Sequence, residues 1–240
     1  MIHANGWYRE ADSPRLEFSP VGVFVVLGDE WMKVKICGMK SLLTAKVAEE
    51  AGADFIGFIF WPESHRYIEP EHAAVISSQL QHSWKTGVFV DEDIEKVNEI
   101  VRQVHLDFVQ LHGHENAAYA RKVQCSVIKA FRYGDNFSAE AANEYPAELI
   151  LIDAFRPGKL GGTGESFDWR SAAEEIAKVE KPVLIAGGIN IDNLQTVLRT
   201  FHPYGVDVSG SLEVDEEKSI SKIQAFMRRA RSLPRGRKRQ

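Results

Sequence analysis

Short β-branched and apolar runs alternate along this chain with longer amphipathic stretches, the pattern of repeated strand–helix units. Eight runs read as strands: Val34–Cys37, Asp54–Phe60, Lys85–Val90, Asp107–Leu111, Ser126–Phe131, Glu148–Asp153, Pro182–Ala186 and Val206–Val208. Several have nearly continuous apolar middles, as in Phe55-Ile56-Gly57-Phe58-Ile59-Phe60 and Leu149-Ile150-Leu151-Ile152. Strands buried on both faces, as parallel strands are, look like this. Between them, Leu43, Val47, Ala48 and Ala51 make one helical stripe that Gly52 ends, and Ile94, Val97, Ile100, Val101 and Val104 make another with Asp93 as N-cap. Helices are also predicted over 70–80, 116–123, 169–179, 191–201 and 218–231, and more weakly within 137–145. Strict alternation of this kind predicts an α/β fold of the closed (β/α)8, or TIM-barrel, type. An open doubly wound sheet is the alternative; it often carries a glycine-rich turn after its first strand, where this chain has Cys37-Gly38-Met39.

Residues 1–31 fall outside the alternation, and Met32 stands just before the first strand; 1–31 is expected to be an extension or an over-called start, with the barrel spanning 32–231. Residues 232–240 are expected to form a basic, disordered tail. The chain has 240 residues, 44% hydrophobic and 26% charged, which suits one barrel domain. No apolar run is long enough to cross a membrane, and only Cys37 and Cys125 occur, so no disulfide framework is expected and a reducing cytoplasm is. The net charge of -5 includes a tail rich in Arg and Lys, so the body is more acidic still. That argues against nucleic acid as a partner.

In a β/α barrel the chemistry sits where strands end and βα-loops begin. Glycines gather at three neighbouring strand ends: Gly161-Gly162-Thr163-Gly164 after the sixth, Gly187-Gly188 after the seventh, and Ser209-Gly210-Ser211 after the eighth, with Asp207 leading into the last. Backbone N–H groups hold phosphate, and glycine lets the backbone come close, so these segments predict a phosphate site; tight βα turns are the plainer alternative for any one of them. Cys37 and Asp153 close strands one and six, which are not neighbours in the ring, so a substrate at the mouth could meet one on each side, and they form a candidate acid–base pair. A buried cysteine alone is more often inert. A carboxyl straight after four aliphatic residues is more telling, because burial moves its pKa up into a useful range for a general acid. Arg66 either clamps a carboxylate or is a solvated loop residue; Gln110 and His112 either contact substrate or support the packing. Cys125, at the opposite end of its strand, reads as structural.

Together these segments resemble the phosphoribosylanthranilate isomerase family. The resemblance rests on Lys35-Ile36-Cys37-Gly38, Gly57-Phe58-Ile59-Phe60, Ser64-His65-Arg66-Tyr67-Ile68, Gly87-Val88-Phe89-Val90, Gln110-Leu111-His112-Gly113, Gly161-Gly162-Thr163-Gly164 and Ala186-Gly187-Gly188-Ile189-Asn190, in that order from Met32 to about Arg231. It implies an Amadori rearrangement of a small phosphorylated substrate, with Asp153 as general acid, Cys37 as the thiolate base, Arg66 on the anthranilate carboxylate, and no metal or organic cofactor. The base needs a lowered pKa, and strand alternation puts Lys35 on the same face as Cys37, where its charge could supply that. One departure stands out. The family reads Asp-Val-Ser-Ser-Gly-Val-Glu after strand eight, and this chain reads Asp207-Val208-Ser209-Gly210-Ser211-Leu212-Glu213, which leaves open whether 210 or 211 donates to phosphate. Rival barrels fit less well: an indole-glycerol-phosphate synthase would bring more strand-end lysines, a histidine-pathway isomerase an Asp in place of Cys37, and an inert scaffold would lack Cys37 or Asp153.

Overall fold

In the computed structural model the described residues are 32–134, 137–153 and 169–233, together with two short strands nearer the N-terminus; residues 169–171 are described in backbone only. The chain divides into two compact units, Met1–Glu30 and Trp31–Gln240. In the first, Leu16–Phe18 pairs antiparallel with Phe24–Val26.

The second unit holds eight parallel strands: β1 Lys33–Cys37, β2 Phe55–Ile59, β3 Trp84–Phe89, β4 Phe108–Leu111, β5 Ser126–Arg132, β6 Leu149–Asp153, β7 Val183–Ala186 and β8 Gly205–Val208. They form a closed barrel in chain order, with β8 pairing to β1 through Gly205↔Lys33 and Asp207↔Lys35. The open-sheet alternative is therefore excluded. Helices follow the strands: α1 Leu42–Glu50, α2 Pro70–Ser77, α3 Ile94–Val104, α4 Ala117–Ala120, α5 Ala139–Glu144, α6 Trp169–Ile176, α7 Leu194–Phe201 and α8 Ile220–Arg231. Asp93 caps α3 as expected, accepting the N–H groups of Glu95 and Lys96, a cap worth about 1 kcal/mol. Gly52 ends α1 at φ +90, a conformation open to glycine. α4 is a single turn, shorter than its sequence pattern, and α7 begins three residues later than predicted. Among the described residues no helix is long and apolar enough to cross a membrane.

Strand alternation sorts the side chains into two layers. Val34, Ile36, Ile56, Phe58, Val109, Leu111, Ile150, Ile152, Ile185 and Val206 join the helix residues in one apolar shell. Their alternates fill the barrel lumen. At its base Phe55 packs on Trp84 (4.8 Å between centroids) and Phe108 (5.5 Å), with the Lys33 ammonium 5.6 Å from the Trp84 ring. Above that apolar plug the lumen turns polar, with Lys35, Thr86, Gln110 and Asp207. Near the end of the chain Arg231 donates from Nη1 to the Met32 carbonyl at 2.6 Å and from Nη2 to Asp54 at 2.7 Å, so α8 grips both sides of the first βα unit.

Candidate active site

Cys37 and Asp153 are the last residues of β1 and β6, at the same C-terminal rim of the closed barrel. Cys37 is buried, and Gly57 on the neighbouring strand leaves it room: a Cβ there would stand 2.8 Å from the Cys37 sulfur. One layer below, Lys35 is wholly buried and donates to Asp207 at 2.9 Å. Burial works against the Lys35 charge, but Asp207 and Cys37 outweigh it and raise its pKa, so Lys35 is a cation. The expected lowering of the Cys37 pKa is not met. Burial pushes the thiol up, and Lys35 offsets this only in part, because Asp207 already neutralises much of its field. Asp207, grouped in sequence with the phosphate-loop residues, faces the lumen, where its Oδ1 accepts from Lys35.

Arg66 does clamp a carboxylate, but here it is one of the protein's own. Its Nε and Nη2 donate side-on to the two oxygens of Glu213, at 2.6 and 2.7 Å. Glu213 begins a hairpin, Glu213–Val214 with Glu217–Lys218, whose two central residues Asp215 and Glu216 both have positive φ (48 and 64). This tight turn brings Lys218 back onto Glu213, and the Lys218 ammonium bonds both that carboxylate and the Ser209 hydroxyl. The Arg66 stem lies over Gly38, where φ is +79 and a Cβ would come within 2.6 Å of the Arg66 Cδ. The glycine after the cysteine thus lets Arg66 reach the rim beside Cys37. The sequence offers Glu213 only as the last residue of the strand-eight motif and gives no sign of Lys218, since an Asp-Glu turn carries little of the usual Asn-Gly hairpin signal.

His112 follows β4, and Gln110 Nε2 donates to its Nδ1 at 2.8 Å. Burial lowers the His112 pKa, so the ring is neutral and keeps its proton on Nε2. Asp153, Lys35 and Asp207 all act on this ring, which places His112 within electrostatic reach of both sides of the mouth. Gln110 lies deeper, and its Oε1 is buried with no hydrogen-bond partner among the described residues. The loop after β4 is anchored by Glu115, another residue missed in sequence. It accepts the N–H groups of Asp91 and Gly113 and pairs at 2.9 Å with buried Lys129.

The glycine-rich ends of β7 and β8 lie side by side. Gly187 and Gly188 have φ values of +90 and +64, a turn that side chains would strain. The Ser209 hydroxyl donates to the Cys37 carbonyl at 2.9 Å, and that of Ser211 to the Ile189 carbonyl at 2.6 Å, stitching these loops together. A single 3-10 turn, Gly210–Leu212, follows Ser209. Gly162, Thr163 and Gly164 lie outside the described residues. Cys125 is partly buried at the start of β5, where burial pushes its thiol up to about 12, in keeping with a structural role.

A family model described as N-(5'-phosphoribosyl)anthranilate isomerase matches residues 34–229. The N-(5'-phosphoribosyl)anthranilate isomerase of Desulforudis audaxviator is 44% identical over 201 residues, covering 82% of this chain and 97% of that protein. Among solved structures, the phosphoribosyl anthranilate isomerase of Thermus thermophilus superposes with TM-score 0.73 at 36% identity, over 84% of this chain and 99% of that one. A phosphoribosyl anthranilate isomerase in complex with reduced 1-(o-carboxyphenylamino)-1-deoxyribulose 5-phosphate has TM-score 0.73 at 34% identity, over 84% of this chain and all (100%) of that one.

Proposed function

The chain belongs to the N-(5'-phosphoribosyl)anthranilate isomerase family and converts N-(5'-phosphoribosyl)anthranilate to 1-(2-carboxyphenylamino)-1-deoxyribulose 5-phosphate in tryptophan biosynthesis; on that premise we propose that Cys37 and Asp153 are its base and acid. Asp153 gives its proton to the furanose ring oxygen. The C1–O bond breaks, and the anilino nitrogen lone pair closes to a Schiff base. Cys37, as thiolate, takes the C2 proton, and the electron pair moves into C1–C2 to give an enolamine. Loss of the O2 proton and protonation of C1 complete the aminoketose. Every proton is moved by Cys37, Asp153 or solvent, so the scheme asks for no metal or organic cofactor.

The observation that carries this reading is the pairing of a rim cysteine on β1, over a buried lysine, with a rim aspartate on β6 of the same closed barrel. A thiol made less acidic by burial is protonated more of the time, but its rare thiolate is the stronger base. Lys35 is the cation that keeps that thiolate accessible. The Arg66 guanidinium receives the anthranilate carboxylate. The phosphate is held by backbone N–H groups at Gly187, Gly188, Gly210 and Ser211, the Ser211 hydroxyl being engaged by Ile189. Gly162, Thr163 and Gly164 join that site on their sequence alone. We place the reaction in the cytoplasm, which suits two free cysteines.

The test is the fluorescence decay of freshly made phosphoribosylanthranilate. Cys37→Ser and Asp153→Asn should each lower kcat by about 10²–10⁴-fold while the reduced product analogue still binds. Near-normal turnover by either variant removes that residue from the scheme.

A further inference from the structure

Arg66 has two hydrogen-bonding edges, and the structure uses only one. Glu213 takes the side-on edge, through Nε and Nη2. The end-on edge, with Nη1 and the second Nη2 proton, has no partner among the described residues. A guanidinium can carry a carboxylate on each edge. Glu213 is itself held firmly. Its side chain is 9% exposed, Lys218 bonds it from the far strand of the hairpin, and Lys222 donates to its backbone carbonyl at 2.7 Å. His65 stands 3.7 Å away. Burial would push the Glu213 carboxyl up, yet Arg66 and Lys218 hold it down to about 2, so it is a carboxylate at any working pH.

We propose that Glu213 is a positioning residue: it fixes the side-on edge of Arg66 so that the end-on edge is presented to the carboxylate of the substrate. The proposal rests on the reading of Arg66 as the carboxylate ligand and adds the device that aims it. Glu213 does not leave when substrate arrives, because the two carboxylates use different edges and Lys218 keeps Glu213 in place. Lys218 has a second part. It lies close enough to Arg66 for the two charges to oppose each other, and Glu213 is what lets them share the rim. Without that carboxylate, Lys218 repels the guanidinium out of its aim. The hairpin thus selects substrates bearing a carboxylate on the ring, and acts on binding more than on proton transfer.

The experiment measures affinity for two probes, reduced 1-(o-carboxyphenylamino)-1-deoxyribulose 5-phosphate and its counterpart lacking the ring carboxylate. Glu213→Gln should weaken the first about tenfold or more and leave the second unchanged, with KM rising and kcat held within a few-fold. Because that variant leaves Lys218 buried without its carboxylate, the double variant Glu213→Gln with Lys218→Met, checked for a cooperative melt, is measured beside it. It should keep a selective loss of the first probe, smaller than that of Glu213→Gln by the share that Lys218 repulsion supplies, since the aim is still missing. Arg66→Ala sets the ceiling of the effect. If Arg66→Ala binds both probes like the wild type, Arg66 is not the ligand and both readings fall. If Arg66→Ala loses the first probe but both Glu213 variants keep it, only the positioning role falls. Tighter binding of the first probe by Glu213→Gln also overturns it, by showing that Glu213 competes for Arg66.

Discussion

Lys35→Met tests whether the lumen cation serves the fold alone or the chemistry as well. The variant keeps an unbranched side chain of similar length but leaves Asp207 facing the lumen without its partner, at a site where the lysine is 0% and the aspartate 11% exposed. Breaking a buried pair by removing one member costs about 3–5 kcal/mol. For a chain of this size each kcal/mol is worth about 2–4 °C, so the melting temperature should fall by roughly 6–20 °C. Replacing both members, Lys35→Met with Asp207→Leu, removes the stranded charge and should recover most of that loss. Activity should not recover with it. Burial already holds the Cys37 thiol up and Lys35 is the largest influence bringing it down, ahead of Lys218. Without Lys35 the thiol rises further, though by less in the double variant because Asp207, which holds the thiol up, is gone as well; the rising limb of kcat/KM against pH still moves to higher pH, and turnover at neutral pH drops, to be regained in alkaline buffer. The assay is the fluorescence decay across a pH series on the stable double variant. A wild-type profile from a well-folded double variant would show that Lys35 merely neutralises Asp207.

Gly57→Ala should lower kcat with little loss of product affinity. The new methyl would lie 2.8 Å from the Cys37 sulfur and 3.0 Å from its Cα, so the base must move; thermal melts should show a cost of about 1–3 kcal/mol. Comparing wild type with Glu213→Gln by acid titration should show a stability difference that is constant above the ordinary glutamate pKa and shrinks as pH falls toward about 2. The sign follows from a carboxyl whose folded pKa is depressed: its contribution is present above the unfolded value and is lost on protonation. A difference that persists unchanged into strong acid would mean that its charge is not what matters.

The barrel was legible because its strands are written twice, as apolar runs for the outer shell and as chemistry at their ends. Leu149-Ile150-Leu151-Ile152 followed by Asp153 announces both a buried strand and its rim. What sequence could not show is which charge meets which. Asp207 stands in a glycine-serine segment that faces the phosphate loops, yet strand alternation turns it inward, and only the β8–β1 register puts it opposite Lys35. Arg66 and Glu213 are separated by 147 residues, and their meeting depends on a hairpin built from Asp215 and Glu216, which lack the usual turn signature. The Cys37 thiol differs from expectation for a related reason: the sequence places Lys35 beneath it but does not show that Asp207 offsets that charge while burial raises the thiol.

The Arg231 clamp bears on how the protein is made. Its contacts to Asp54 and Met32 span 177 and 199 residues, and β1 pairs with β8, so the first barrel strand to leave the ribosome waits for the last. Until then the growing chain carries an open edge on β1 and another on its newest strand, each able to pair with other chains. Closing the ring and seating the α8 clamp both wait until every barrel strand has been made. The nascent barrel therefore keeps its open edges until α8 emerges.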